Sequence, residues 1–380
     1  MKKMIVLLLL VAFVTPVFAD DALVLPQGVA RIRIVPILTT VSGTYDDSGS
    51  LTDNENDAGD QMPDEAIWAL GGAFEYGITN QISLGIRWAP AFQFFGDADA
   101  TGQSSFDVQT GGFEHADIGA EFQVLGEQGY VTNEQLRFSV TPGFAIPMPV
   151  TTDWKAEGEA LAEQEDAILP TSLNTTELQA GMLLNFDYVI NDVFEVNLFT
   201  EGRYRFARTR DVQDFYNAYV NSVAAAVPGI EDPYSEYELT FGPNFLWEAG
   251  LEPKASFQVA DPIRLDVGLT TKFTLNTAQE TTTKATFADA TQQATLQGAA
   301  GGSAQLSQAL QGAGAVTSDT DVTSDGDTAY TLRFEPSVGA FITALPVPLE
   351  LTAQYSLPLL GQNTTATQSL ITQLRVYVRF

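Results

Sequence analysis

The chain has 380 residues, with 48 acidic residues against 18 basic ones, one histidine and no cysteine. So acidic a chain lacks the basic face a nucleic-acid binder needs to displace counterions, and without cysteine there is neither a disulfide scaffold nor a thiolate metal site. Apolar residues make up 45% of it and charged ones only 17%, which excludes a disordered acidic tail.

Lys2 and Lys3 precede an apolar run from Met4 to Val14, followed by Pro16 and Val17-Phe18-Ala19. A basic start, a short apolar stretch and a small-residue end read as an export signal cleaved after Ala19. Residues 1–19 are therefore expected to be removed, leaving 20–380 as a single domain. The run is too short for a spanning helix, which needs ~20 residues. No later stretch approaches 18 uninterrupted apolar residues. A membrane form of this chain must therefore be a closed barrel.

Period two dominates from there on. In Ile263-Arg-Leu-Asp-Val-Gly-Leu-Thr-Thr-Lys-Phe-Thr-Leu275 the odd positions are apolar at all but one place, and the even ones carry Arg264, Asp266, Thr270, Lys272 and Thr274. A helix would mix the two sets, whereas a strand keeps them on opposite faces. The same pattern predicts strands near 29–42, 65–77, 81–93, 113–125, 134–146, 176–189, 193–207, 244–259, 263–276, 330–343, 348–358 and 368–380. Tight turns are expected at 79–80, 191–192, 260–262 and 344–347, with a somewhat longer connection at 125–133. They alternate with long loops near 43–64, 94–112, 147–175, 208–243, 277–329 and 359–367. An even number of strands with short turns on one rim and long loops on the other is the pattern of an antiparallel up-and-down transmembrane β-barrel. The expected fold is all-β, with about twelve strands, short periplasmic turns and long extracellular loops.

A secreted sandwich would alternate too, so charge placement has to decide which face is enclosed. The polar faces carry Arg31, Arg33, Arg87, Arg137, Arg203, Arg205, Lys254, Arg264, Lys272, Arg333, Arg375 and Arg379. They also carry Glu75, Asp117, Glu121, Glu177, Asp187, Glu195, Glu201, Glu248, Glu252, Asp266, Glu335 and Glu350. The balance matters, because a confined lumen tolerates charges only when they are paired. The polar face is thus expected to line the lumen and the apolar face to meet lipid. Tyr76, Trp88, Tyr188, Phe206, Trp247 and Phe334 would form interfacial girdles.

The last strand runs Leu370-Ile-Thr-Gln-Leu-Arg-Val-Tyr-Val-Arg-Phe380. Val376, Val378 and the terminal Phe380 share its apolar face, and this ending resembles the insertion signal of bacterial outer-membrane barrels. The resemblance implies an outer-membrane location and reading of the strand by the barrel-assembly machinery. Leu25-Pro-Gln-Gly-Val-Ala-Arg31 and Glu75-Tyr-Gly-Ile-Thr-Asn-Gln-Ile-Ser-Leu-Gly85 resemble porin-like transporters of the phenol-degradation meta-pathway type, relatives of the long-chain fatty-acid channels. Those are expected to pass small, often hydrophobic compounds. Unlike the fatty-acid transporters, the chain shows no N-terminal plug.

Catalytic motifs are missing. His115 is the sole histidine, near Asp117, and no Gly-x-Ser-x-Gly or His-Glu-x-x-His pattern accompanies it. Asp53, Glu55 and Asp57 open a calcium-loop spacing that lacks Gly at its sixth position (Ala58) and Glu at its twelfth (Asp64). A second acidic cluster comprises Asp319, Asp321, Asp325 and Asp327. Residues 153–169, 212–224 and 285–315 have helical composition inside the loops. The expected function is a passive, non-enzymatic channel for small solutes, hydrophobic ones included, with no cofactor. Its expected partners are outer-membrane lipids, the assembly machinery, the solutes themselves and divalent cations at the acidic loops. The competing reading is a structural or surface-interaction protein with a closed lumen and functional acidic loops.

Overall fold

A computed structural model describes residues 22–53, 66–98, 104–109, 115–147, 153–163 and 177–380. The predicted export signal and Glu55 and Asp57 lie outside the described residues, and Asp53 is described in its backbone only.

Twelve antiparallel strands form the wall. They are β1 (Val29–Tyr45), β2 (Ala66–Gly77), β3 (Ile82–Ala98), β4 (His115–Gly126), β5 (Leu136–Pro147) and β6 (Gln179–Val189), then β7 (Phe194–Arg205), β8 (Asn244–Ala260), β9 (Ile263–Asn276), β10 (Ala329–Ile342), β11 (Leu349–Gln362) and β12 (Thr364–Arg379). Each strand pairs with its neighbours in sequence. β12 closes the sheet on β1, from Val29 opposite Arg379 to Tyr45 opposite Thr364. Closure satisfies the backbone of both terminal strands and leaves no edge for lipid to meet.

The two faces of the wall separate by parity. On β9, Leu269 is 45% exposed and Thr270 only 5%. Ile34, Phe74, Ile118, Met182, Leu198, Leu251, Val338 and Leu351 are likewise exposed all round the barrel, while the charged partners of these strands are buried. A soluble core has the opposite arrangement. The apolar band is what a lipid-facing wall requires.

One predicted loop is absent. Residues 359–367 form the tightest hairpin of the barrel instead. β11 continues to Gln362 and β12 starts at Thr364, with Asn363 turning the chain at φ 51°. Asn is among the residues that adopt this left-handed conformation readily. The Asn-Thr-Thr-Ala-Thr run looks loop-like by composition, yet Thr364, Thr365 and Thr367 pair with β1 and are buried.

The long loops after β7 and β9 fold together. Residues Arg208–Asp211, Tyr234–Phe241, Thr281–Phe287 and Thr320–Ser324 make a separate four-stranded antiparallel sheet. Helices α1 (Trp154–Ala162), α2 (Gln213–Val223), α3 (Ala290–Gly302) and α4 (Ala304–Ala313) accompany it. Its apolar core is formed by Phe215, Tyr216, Tyr219, Tyr234, Tyr237, Phe241, Phe287, Leu296 and Leu310 among others, all from the loops. Tyr216 and Tyr237 stack with ring centroids 3.8 Å apart. The hydroxyls of Tyr219, Tyr234 and Tyr237 donate to the carbonyls of Ala309, Val316 and Gly314. Burial pushes the Tyr216 phenol up to about 12 and raises Tyr219, Tyr234 and Tyr237 as well. Residues 285–315 belong to this folded unit and do not enter the barrel. Asp319 and Asp321 serve it structurally: Asp319 accepts the Phe287 amide at 2.8 Å, and Asp321 stands opposite Lys284.

Candidate functional site

Because the charged residues sit at alternate positions, closure brings them together inside the wall. Arg31, Arg33, Glu75, Arg87, Asp117, Glu121, Asp187, Glu201, Arg205, Lys272, Arg333, Glu335 and Arg375 are all buried there. Arg137, Glu195, Arg203 and Asp266 are partly buried, and Arg264 and Arg379 are exposed at the short-turn rim.

The pairing is dense. Glu75 on β2 is shared by Arg31 and Arg33 of β1, with Arg33 Nη2 2.9 Å from Glu75 Oε1. Asp117 on β4 is shared by Arg87 of β3 and Arg203 of β7, the latter at 3.4 Å and also paired with Glu201. At the long-loop rim Glu177 lies 3.6 Å from Arg205 and 3.8 Å from Arg208. Burial holds the Glu177 carboxyl above its usual range despite the opposing pull of the two arginines. On the other side Glu335 accepts from Ser356 at 2.7 Å and Gln354 at 2.8 Å, with Lys272 at 3.5 Å. Arg333 donates to Ser356 at 3.0 Å and to Thr367 Oγ1 at 2.5 Å.

The lumen is filled unevenly. Residues 22–26 enter it at the short-turn rim, where the Ala22 amide donates to Asp187 Oδ2 at 2.8 Å. Ala22, Val24 and Leu25 are buried. Gly77 makes room for this strap, since a Cβ there would stand 2.2 Å from the Pro26 carbonyl oxygen. The N-terminal segment thus reaches into the barrel as a short strap of a few residues.

A cavity of about 200 Å3 remains along β7–β12. Its wall includes Glu195, Glu248, Glu252, Asp266, Glu335 and Glu350 together with Lys254, Arg264, Lys272 and Arg375. Four acid–base pairs face it: Lys254–Glu252 at 3.3 Å, Arg264–Asp266 at 3.0 Å, Lys272–Glu335 at 3.5 Å and Arg375–Glu350 at 2.9 Å. Neutral polar groups complete it, among them Asn197, Ser256, Thr270, Ser337, Gln354 and Gln373. Of the apolar side chains on inward positions, Phe199 lies over Gly250, where a Cβ would come within 2.3 Å of its ring.

An outer membrane channel from Pseudomonas putida F1 matches with a TM-score of 0.50 over 96% of this chain and 100% of that one, at 13% identity. The chain has the fold of an outer-membrane channel barrel. The toluene transporter TbuX of Ralstonia pickettii matches at a TM-score of 0.37 and 8% identity over 94% of this chain and 90% of its own. The toluene transporter TodX of Pseudomonas putida matches at 0.37 and 8% over 93% and 89%. No family model and no curated protein matches in sequence.

The neutral lumen residues Gln123, Ser139, Asn185 and Asn197, all buried, are not picked out by charge. Their signal was parity, because each sits in step with the charged positions of its own strand. Phe380 is 81% exposed beyond the barrel end. Its amide donates to the Gly28 carbonyl and its ring meets Tyr76 edge-on at 6.5 Å. His115 opens β4, and its side chain lies outside the described residues. Among the described residues no cluster of metal-ligating side chains is present.

Proposed function

We propose that the protein is a passive outer-membrane channel for small solutes, exported with its signal removed after Ala19 and inserted through recognition of Phe380, Val378 and Val376. The observation that carries this reading is the solute-sized polar cavity inside a wall whose outer face carries exposed apolar side chains on strand after strand. In this reading solutes meet the paired charges that line the cavity. Arg31, Arg33, Glu75, Arg87, Asp187, Glu201, Arg203, Arg333 and Glu335 set the width of the waist, since a charge engaged by its partner does not swing aside freely. No step of this function is chemical, and no cofactor or energy source enters it.

Conductance of the refolded protein in a planar bilayer tests the reading. Steady single-channel currents are expected. A refolded, heat-modifiable protein without current would favour the second reading, a surface-interaction protein. The observation favouring that alternative is the loop domain with its own aromatic core.

A further inference from the structure

The substrate class follows from the lining of the cavity, on the basis of the channel reading above. Its volume of about 200 Å3 is below the ~300–1,000 Å3 typical of sites for drug-sized ligands, so only a small solute fits. Its wall alternates in sign over a few ångströms. Lys254 and Glu252 lie 3.3 Å apart, and Lys272 and Glu335 3.5 Å apart. Both members of each pair are at most 16% exposed in their side chains.

Such a wall penalises apolar solutes. A hydrocarbon in the cavity would displace the water that solvates these groups and offer no hydrogen bond in return, leaving buried polar atoms unsatisfied. A neutral polyol would replace the hydrogen bonds but none of the charge. A solute bearing an ammonium and a carboxylate a few ångströms apart can do both. Its ammonium takes the place of a lysine at one carboxylate while its carboxylate engages the lysine released. No net charge is moved into the low-dielectric wall, and each exchange costs little because it swaps one charge-assisted hydrogen bond for another.

We propose that the cavity selects small zwitterions of the α-amino-acid class, passing them in preference to neutral polyols and to hydrocarbons. The four pairs facing the cavity form a series of exchange sites from buried Lys272–Glu335 near mid-wall to the more exposed Arg264–Asp266 at the rim.

Swelling of proteoliposomes containing the full barrel, driven by isotonic serine or erythritol, tests this directly. The two probes are similar in size and differ in charge. Serine is expected to enter several-fold faster. In Glu252→Gln with Lys254→Met, and separately in Lys272→Met with Glu335→Gln, the ratio should fall toward one. Each double variant removes one positive and one negative charge, so the net charge of the wall is unchanged. Heat-modifiable gel mobility verifies that each has folded. Erythritol entering as fast as serine, or a ratio unmoved in both folded variants, overturns the zwitterion assignment while leaving the channel intact. Entry of neither probe, together with an absence of current, overturns the channel reading and this one with it.

Discussion

The outward face of β9 gives the most direct quantitative test of the architecture. Leu269 is the sixth residue after Ile263, which starts the strand at the short-turn rim. At about 3.3 Å per residue and a tilt near 40°, it stands about 15 Å above that rim. That is near the middle of a hydrocarbon layer of about 30 Å. Its side chain is 45% exposed, so an arginine there has no protein group to shelter its charge. Leu269→Arg should then cost about 2–4 kcal/mol, whereas Val259→Arg, at the end of β8, should cost about 0–1. Urea titration of folding into phospholipid vesicles, followed by tryptophan fluorescence, measures both. Thr270→Arg should behave differently. Thr270 is buried inside the wall, so its cost comes from overpacking and should not vary with bilayer thickness. Equal costs at 259 and 269 would refute the lipid-facing assignment of this face.

Three further outcomes follow from particular contacts. Gly77→Ala places a Cβ against the Pro26 carbonyl and should expel the strap, raising single-channel conductance. Unchanged conductance in folded protein would show that the strap does not obstruct the passage. Leu310→Ala, in the loop-domain core, should destabilise that domain by about 2–5 kcal/mol without altering the heat-modifiable mobility of the barrel; limited proteolysis of the loops reads it. In the same domain the raised Tyr216 pKa, about 12 against 10.0, gives a pH dependence of definite sign. The neutral phenol is favoured by folding, so its contribution is intact below pH 10 and is lost as pH rises toward 12. Absorbance at 295 nm should show late, cooperative tyrosinate formation as the loop domain opens, and simple titration near pH 10 would contradict the buried core.

The barrel was legible in the sequence because its physical cause is periodic. Lipid outside and paired charge inside impose period two on every strand, and long strands make the pattern hard to miss. What escaped the reading was set by local or non-periodic causes. Tyr237-Glu-Leu-Thr-Phe241 alternates as clearly as a barrel strand, but its apolar face packs into the loop-domain core and not against lipid, a difference period two does not carry. The strand Thr281–Phe287 carries little pattern, because threonine suits either face. Residues 22–26 enter the lumen through close approach to Gly77 and one hydrogen bond to Asp187, neither of which is periodic. The lumen charges could be placed by parity, but partner choice across the barrel, such as Arg203 of β7 reaching Asp117 of β4, depends on closure and curvature.

Two kinds of ion pair do different work in this wall. Arg203–Glu201, Lys254–Glu252 and Arg264–Asp266 join positions i and i+2 of one strand. They survive any register, because both residues stay on the same face whatever the neighbour. They therefore make a charged inner face tolerable but cannot tell one register from another. Arg87–Asp117 and Arg375–Glu350 cross between strands at directly opposed positions. A slip of two residues would keep every apolar side chain in lipid and every i, i+2 pair intact, so hydrophobic patterning alone would not oppose it. It would separate the cross-strand partners by roughly 7 Å, stranding buried charges at about 3–5 kcal/mol for each broken pair. Directly opposed pairs thus oppose a slip that hydrophobic patterning would allow, on β3–β4 and on β11–β12 beside the seam where the barrel closes.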